Sequence, residues 1–276
     1  MADDRDEAPE GTRTYALRRL PLTDGGMNLH DVVRTVPLEV PVAIEFGGIG
    51  YAVMMTTPID LPDFIAGFAI SEGLASPDEI ETPAIVRHGG GWIARMPIPA
   101  RSTERVAQRA RTRLSESGCG LCGMDSIAAV LAPLPPLTAR PGGDAAAVAQ
   151  ALASLGERQT LGRASGATHV AALCRGDGRI VMAREDVGRH NALDKLIGAA
   201  AAADHGFADH FVLMSSRCSQ ELVEKCVRAG IPALVTISAP TSFAVDRARE
   251  AGLTLLCLAR RDSALVANDP LGLFAP

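Results

Sequence analysis

The chain has 276 residues, 47% of them hydrophobic, with 32 acidic against 27 basic side chains and a net charge of −5. That excess of acid argues against a general nucleic-acid binder, which needs surplus lysine and arginine to meet phosphates. The apolar content is enough for a large core, and no apolar run nears the ~20 residues of a membrane-spanning helix. A globular, cytoplasmic protein is expected, with neither nucleic acid nor membrane as a partner.

Residues 1–24 mix acids and arginines and lack the apolar centre of a secretory signal. Residues 1–30 are therefore read as a flexible arm. From 36 to 46 the apolar residues Val36, Leu38, Val40, Val42, Ile44 and Phe46 alternate with Glu39 and Glu45 opposite, the period of a half-buried strand. Gly47-Gly48 turns it into a second strand over 51–57. Asp60 is a candidate cap for a helix whose Leu61, Phe64, Ile65 and Phe68 form one stripe, ending at Gly73. Residues 85–87 and 92–96 form another hairpin through His88-Gly89-Gly90-Gly91, with His88 read as a turn residue. A helix over 102–114 follows, bearing Arg101, Arg105, Arg109, Arg111 and Arg113 on or beside it. Such runs, like the later Arg184, Arg189 and Lys195, are usually solvated faces and become anion sites only if the fold gathers them.

Gly118-Cys119-Gly120-Leu121-Cys122-Gly123 comes next. Three glycines leave the backbone free and the sulfurs uncovered. Asp125-Ser126 reads as the cap of a following helix that ends by Pro133. A thiol near a helix N-terminus has its pKa lowered, which favours the thiolate that attacks or carries sulfur. The pair can be half a zinc site, a dithiol redox couple or a sulfur nucleophile with a second thiol beside it. Six cysteines with only this close pair do not make a disulfide framework, which points to a reducing compartment.

Residues 133–143, with Pro135-Pro136 and Gly142-Gly143, read as a linker between a part spanning 31–140 and a part spanning 141–276. Asp144 caps a helix carrying Val148, Leu152 and Leu155. Strands over 168–174 and 179–184 join through Asp177-Gly178, a hairpin dipeptide. Helix 191–203, strand 211–215, helix 219–229, strand 233–238, helix 242–251 and strand 253–258 complete an alternation. Strands apolar on both faces and separated by helices imply a mixed, mostly parallel sheet covered on both sides.

Ligands of such sheets gather where strands end. That points to the polar loops 185–191, 215–219, 238–242 and 259–261. Ser238, Thr241 and Ser242 offer hydroxyls and N–H groups at a helix start, and Ser216 to Ser219 repeat the arrangement beside Arg217. With Arg189 and Arg260 they resemble a nucleotide or pyrophosphate site, although no dinucleotide or P-loop fingerprint is present. His190 and, less so, His169 are candidate bases. A zinc site from Cys119, Cys122 and one histidine lacks a second spaced pair, so no metal is expected.

Several stretches resemble the formate dehydrogenase accessory sulfurtransferase family, FdhD. They are Met54-Met55-Thr56-Thr57-Pro58, Asp60-Leu61, Gly67-Phe68, Ser71-Glu72-Gly73, the cysteine loop, the run from Arg184-Glu185-Asp186-Val187-Gly188-Arg189-His190-Asn191-Ala192 to Asp194-Lys195, and Ser238-Ala239-Pro240-Thr241-Ser242. The resemblance runs from Pro37 to Arg260. It implies a carrier that takes persulfide sulfur from a cysteine desulfurase and passes it to the molybdenum bis-guanine-dinucleotide cofactor, which then enters the catalytic subunit of formate dehydrogenase. Cys119 would bear the persulfide and Cys122 assist, with no catalytic metal. Leu258, Ala259, Arg260, Arg261, Asp262 and Ser263 would touch the nucleotide part, with Arg189, His190, Arg217, Ser238, Thr241 and Ser242 also in the pocket.

The resemblance further implies an α/β, cytidine-deaminase-like core behind a smaller α+β part carrying the cysteine loop, and a homodimer. This chain departs from the family pattern at Gly166-Ala167-Thr168-His169 and at Cys257-Leu258. Two other classes stay open, a cofactor-binding chaperone without sulfur chemistry and a dithiol oxidoreductase.

Overall fold

The computed structural model describes residues 8–22, 29–115 and 131–274, with the main chain only for 109–115. The cysteine loop with Cys119 and Cys122, the helix expected after it, and the side chains of Arg109, Arg111 and Arg113 lie outside the described residues. Three sheets organise the rest.

Strands β1 (Thr12–Arg19) and β2 (His30–Pro37) pair antiparallel along their whole length. The reading of 1–30 as a loose arm is thus corrected for 12–19. The single strand expected over 36–46 is two, because β2 ends at Pro37 and β3 (Val40–Phe46) starts a new sheet. A loose composition hid β1, whose side chains are nearly all exposed and so show no buried period.

The second sheet runs β4-β3-β6-β5, with β4 at Ile49–Thr56, β5 at Ala84–His88 and β6 at Gly91–Met96. Val42, Ile44 and Phe46 face helix α1 (Leu61–Ser71), whose Phe64, Ile65 and Phe68 complete the first core with Tyr51 and Met96. Gly73, at φ +68, ends α1. Asp60 stands at the N-cap position in the left-handed region and its side chain makes no cap bond. Its carboxylate instead lies 3.5 Å from Arg184. Helix α2 (Ala100–Ser115) follows and buries Ser102 and Val106.

The third sheet has the order β8-β7-β9-β10-β11-β12. Its strands are β7 (His169–Arg175), β8 (Ile180–Asp186), β9 (His210–Met214), β10 (Ala233–Thr236), β11 (Thr254–Cys257) and β12 (Leu265–Asn268). Helix α3 (Ala145–Ser154), capped by Asp144 accepting from Ala147 N at 3.0 Å, shares a core with one face. Helices α5 (Arg189–Ala202), α6 (Gln220–Arg228) and α7 (Ser242–Ala251) share a core with the other. A short helix α4 (Thr160–Ser165) and strand β12 had no sequence signal.

The expectation of a mostly parallel sheet is corrected: only β9–β10 and β10–β11 are parallel, while β7–β8, β7–β9 and β11–β12 are antiparallel. The tight turn at Gly178, φ +84, forces β7 and β8 to run opposite ways, and the short return after β11 does the same for β12. One consequence positions the site. Strands β8, β9, β10 and β11 all end on the same edge, where β7 begins.

Helices α1 and α5 cross with their backbones in contact. A Cβ on Gly67 would stand 1.7 Å from the Asp194 carbonyl oxygen, and one on Gly198 would stand 1.9 Å from that of Asp63. Both positions therefore require glycine. Among the described residues no helix is long and apolar enough to cross a membrane.

Candidate functional site

The loops at the shared strand edge are tied to each other through backbone bonds. Cys218 N donates to Ala239 O at 3.1 Å and Thr241 N to Cys218 O at 3.0 Å. Leu258 N reaches Ser238 O at 3.2 Å, and Ala259 N reaches Thr236 O at 3.1 Å. These bonds join three of the four loops picked out in the sequence, 215–219, 238–242 and the one that starts at Ala259.

At the same edge lies Asp186, fully buried at the end of β8. Its Oδ2 accepts from the Thr56 hydroxyl at 2.5 Å and Thr57 N at 3.0 Å, and its Oδ1 accepts from Gly188 N at 2.8 Å and Asn191 Nδ2 at 3.0 Å. Lys195 Nζ stands 2.7 Å away and also donates to Thr57 O at 2.9 Å. Burial pushes the Lys195 pKa down, against the attraction of Asp186. A buried pair so fully hydrogen-bonded holds geometry rather than a reaction. It joins the Thr56-Thr57 segment, from the first half of the chain, to the loop that starts α5.

Glu185 is also spent on structure, accepting from Leu161 N and Gly162 N at 2.8 Å each and from the Thr168 hydroxyl at 2.9 Å. A second buried charge cluster lies behind the first. Asp194 accepts from Lys225 Nζ at 2.9 Å and from the Ser71 hydroxyl at 2.6 Å, tying α5, α6 and α1 together. Burial raises the Asp194 pKa, opposed by Lys225. The sequence run containing Asp186, Asp194 and Lys195 was visible, but the pairing of Asp186 with Lys195 and of Asp194 with Lys225, which lies outside that run, was not.

What remains at the edge is basic and hydroxylic. Arg189 opens α5, and its Nε is buried without a hydrogen-bond acceptor among the described residues. His190 Nε2 lies 3.2 Å from Ser219 Oγ and 3.0 Å from Glu221 Oε2. The His190 ring lowers the pKa of Glu221, a residue the sequence reading passed over. His169, half-buried, has its pKa lowered by burial and then by the charges of Arg189 and His190, with Asp186 opposing. A neutral imidazole beside a guanidinium can accept a proton or a hydrogen bond at neutral pH.

The other expected site residues divide into two groups. Arg217 and Ser242 are exposed at the edge and Ser238 is half-buried there. Thr241 uses its hydroxyl to accept from Ala244 N at 3.2 Å, so it caps α7. Leu258, at φ +50, turns the chain after β11, and Ala259 is buried. Arg260 donates from one nitrogen to the carbonyls of Ile237 and Ala259. Arg260, Arg261, Asp262 and Ser263 line a separate cleft of about 430 Å³, closed by α3 and by Leu273 and Phe274. Arg189, His190 and Arg217 do not line it.

The described cysteines are poor sulfur carriers. Cys174, Cys218, Cys226 and Cys257 are free thiols with at most 1% exposure. Burial pushes Cys174 up to about 12 and also raises Cys226. Cys218 is raised by donating to Cys257, which is lowered in return but sealed from any partner. A transferable sulfur needs an accessible thiolate. The described residues hold no cluster of three or more histidine, cysteine or acidic side chains placed to bind a metal.

Known proteins match most of this chain. The family model described as FdhD/NarQ family matches residues 37–270. A protein of Chromobacterium violaceum named sulfur carrier protein FdhD is 48% identical over 232 residues, covering 81% of this chain and 84% of its own. Its namesake in Variovorax paradoxus is 42% identical over 236 residues, covering 85% of each chain. A crystal structure from Desulfotalea psychrophila, titled as a formate dehydrogenase accessory protein, superposes with a TM-score of 0.72 at 24% identity, over 93% of this chain and 97% of that one. That likeness shows the shared fold.

Proposed function

The chain belongs to the FdhD/NarQ family, and from that premise we propose how it acts as a sulfur carrier for formate dehydrogenase. In this reading the Cys119 thiolate attacks the outer sulfur of a persulfide on a cysteine desulfurase. A new S–S bond forms on Cys119, the donor's S–S bond breaks, and the donor leaves as a thiolate. Attack by Cys122 on the Cys119 sulfur then releases the outer sulfur as sulfide. The two thiols become a disulfide that a cellular dithiol reductant resets, so the electrons balance. The receiving cargo is a guanine-dinucleotide form of the molybdenum cofactor, on its way to the formate dehydrogenase catalytic subunit.

The observation that carries the cargo reading is the buried, acceptor-less Arg189 Nε on an edge that also presents His169, His190, Arg217, Ser238 and Ser242. A guanidinium donor left unmatched in the interior is costly unless an anion completes it. The cleft lined by Arg260, Arg261, Asp262 and Ser263 is a seat for the nucleotide end. The strand order β8-β7-β9-β10-β11, with β7 antiparallel to both neighbours, supports a cytidine-deaminase-like core. The four free thiols support a reducing, cytoplasmic setting. A homodimer belongs to the same reading, and light scattering that returned the mass of one chain would remove it.

The test is intact-protein mass spectrometry after incubation with a cysteine desulfurase and cysteine. One added sulfur that is lost in Cys119→Ala assigns the carrier thiol. A wild type that stays unloaded while the desulfurase in the same tube carries its persulfide sinks the sulfur chemistry. The cargo pocket is tested separately by calorimetry with GDP. Arg189→Met is expected to bind at least tenfold more weakly, since a hydrogen bond to a charged group is worth ~1.5–3 kcal/mol.

A further inference from the structure

Among the described residues the ribbon of β1 and β2 is a two-stranded sheet whose outer edges pair with no further strand, with β2 packed against α4. Its register sets Arg13 opposite Val36, Tyr15 opposite Arg34, Leu17 opposite Val32 and Arg19 opposite His30. Directly opposed residues share a face. One face therefore holds three arginines, a histidine, Tyr15, Leu17 and two valines, with no carboxylate. The other face is mixed, opposing Arg18 to Asp31. Tyr15 is 43% and Leu17 45% exposed, in a chain whose net charge is −5. A ribbon of two strands has little stability of its own in water. Exposed tyrosine ringed by arginine is the composition of a protein-binding hot spot.

We propose that the Arg13–Tyr15–Leu17–Arg34 face is the docking surface for the acceptor enzyme, through a patch that is apolar at its centre and acidic at its rim. The proposal rests on the sulfur-carrier reading for the identity of that acceptor, the formate dehydrogenase catalytic subunit. Three arguments select a protein of this chemistry. The unpaired strand edges would be left without partners in hydrocarbon, whereas a protein can pair with them. Docking the face on its own copy by two-fold symmetry would set arginines against arginines.

The position of the ribbon selects the same partner. Leu38 N donates to Gly11 O at 2.7 Å and closes the root of the ribbon, and Gly11 packs against Thr57 and Ile59. Thr57 N donates to Asp186 at 3.0 Å, so the ribbon rises beside the loop that carries Arg189 and His190. An enzyme held there is next to the edge from which a cargo would be handed over.

The experiment measures binding of the full chain to the purified formate dehydrogenase catalytic subunit of the same organism. Wild type is compared with the double variants Arg13→Glu, Arg34→Glu and Arg13→Lys, Arg34→Lys, and a benzophenone amino acid replaces Tyr15 for photo-crosslinking. The proposal expects affinity at least tenfold weaker for the glutamate pair, near wild type for the lysine pair, weakening with salt, and a crosslink into the enzyme subunit. Equal affinity of the glutamate pair, no binding by wild type, or a crosslink only to a second copy overturns it. So does phosphatidylserine-vesicle binding that the glutamate pair loses while it keeps the enzyme. Loading of Cys119 by the desulfurase is read on the same proteins. Loss of loading in the glutamate pair alone reassigns the face to the donor and overturns the proposal, whereas loss in wild type strikes the sulfur-carrier reading instead.

Discussion

Lys195 and Arg13 are both cations on elements that meet the chain near Thr57, yet they live in opposite surroundings. Lys195 is wholly buried, paired with Asp186 and donating to the backbone carbonyls of Thr57 and Glu185. Arg13 stands exposed on a ribbon face without a single acid. In the seam between α1 and α5 the buried charges Asp186, Lys195 and Asp194 have fixed partners, because an unpaired one would cost several kcal/mol. On the ribbon, charge costs little and stays available for recognition. Charge in this chain therefore does two jobs, and burial separates them.

The sharpest way to break that distinction is Asp186→Ala. It leaves Lys195 buried without its counter-ion, and a loss of ~3–5 kcal/mol is expected, read from the denaturant midpoint. An unchanged midpoint would mean that Lys195 finds another partner and that the seam is not closed. Gly67→Ala attacks the same seam through volume. Its Cβ would meet the Asp194 carbonyl at 1.7 Å, so the cost should reach or exceed the upper end of the ~1–3 kcal/mol usual for overpacking.

A smaller effect is expected from pH. The folded-state pKa of His169 is lowered from 6.5, so the unfolded chain binds more protons over that window. Its contribution is present above 6.5 and is lost as pH falls toward the folded value. Arg189→Met removes one cause of the shift, so the His169 NMR titration should move up toward 6.5; a move downward would show that Arg189 does not face it. Glu221 has the same sign in a more acidic window, with stability present above 4.5 and lost as pH falls through its lowered pKa.

The smallest effect belongs to the ribbon. Arg13→Ala should change thermal stability by no more than ~0.5 kcal/mol, as for exposed positions away from special features. A large loss would make the ribbon structural and blur the contrast with the seam.

Much of the fold was legible in local pattern. The alternation Val42, Ile44, Phe46 became a buried strand, Asp144 capped α3, and Ser242 to Ala251 formed a helix with the expected ends. The strand-exit loops were legible for the same reason, since the helix starts and turns that bound them depend on nearby residues. Local reasoning failed where partners were distant. Asp60 looked like a cap and instead approaches Arg184. Arg260 donates to the carbonyl of Ile237 as well as to that of Ala259, a contact the sequence did not signal.

By itself, then, the sequence determined most of the buried elements, the polar loops and the family, because hydrophobic period, turn chemistry and a long shared motif are encoded within short stretches of chain. Only the tertiary structure decided that β7 runs against β9, that Asp186 is held by Thr56 and Thr57, and that one ribbon face is basic without relief. Each depends on a register or a packing contact between segments up to 130 residues apart, and no local preference specifies such a pairing.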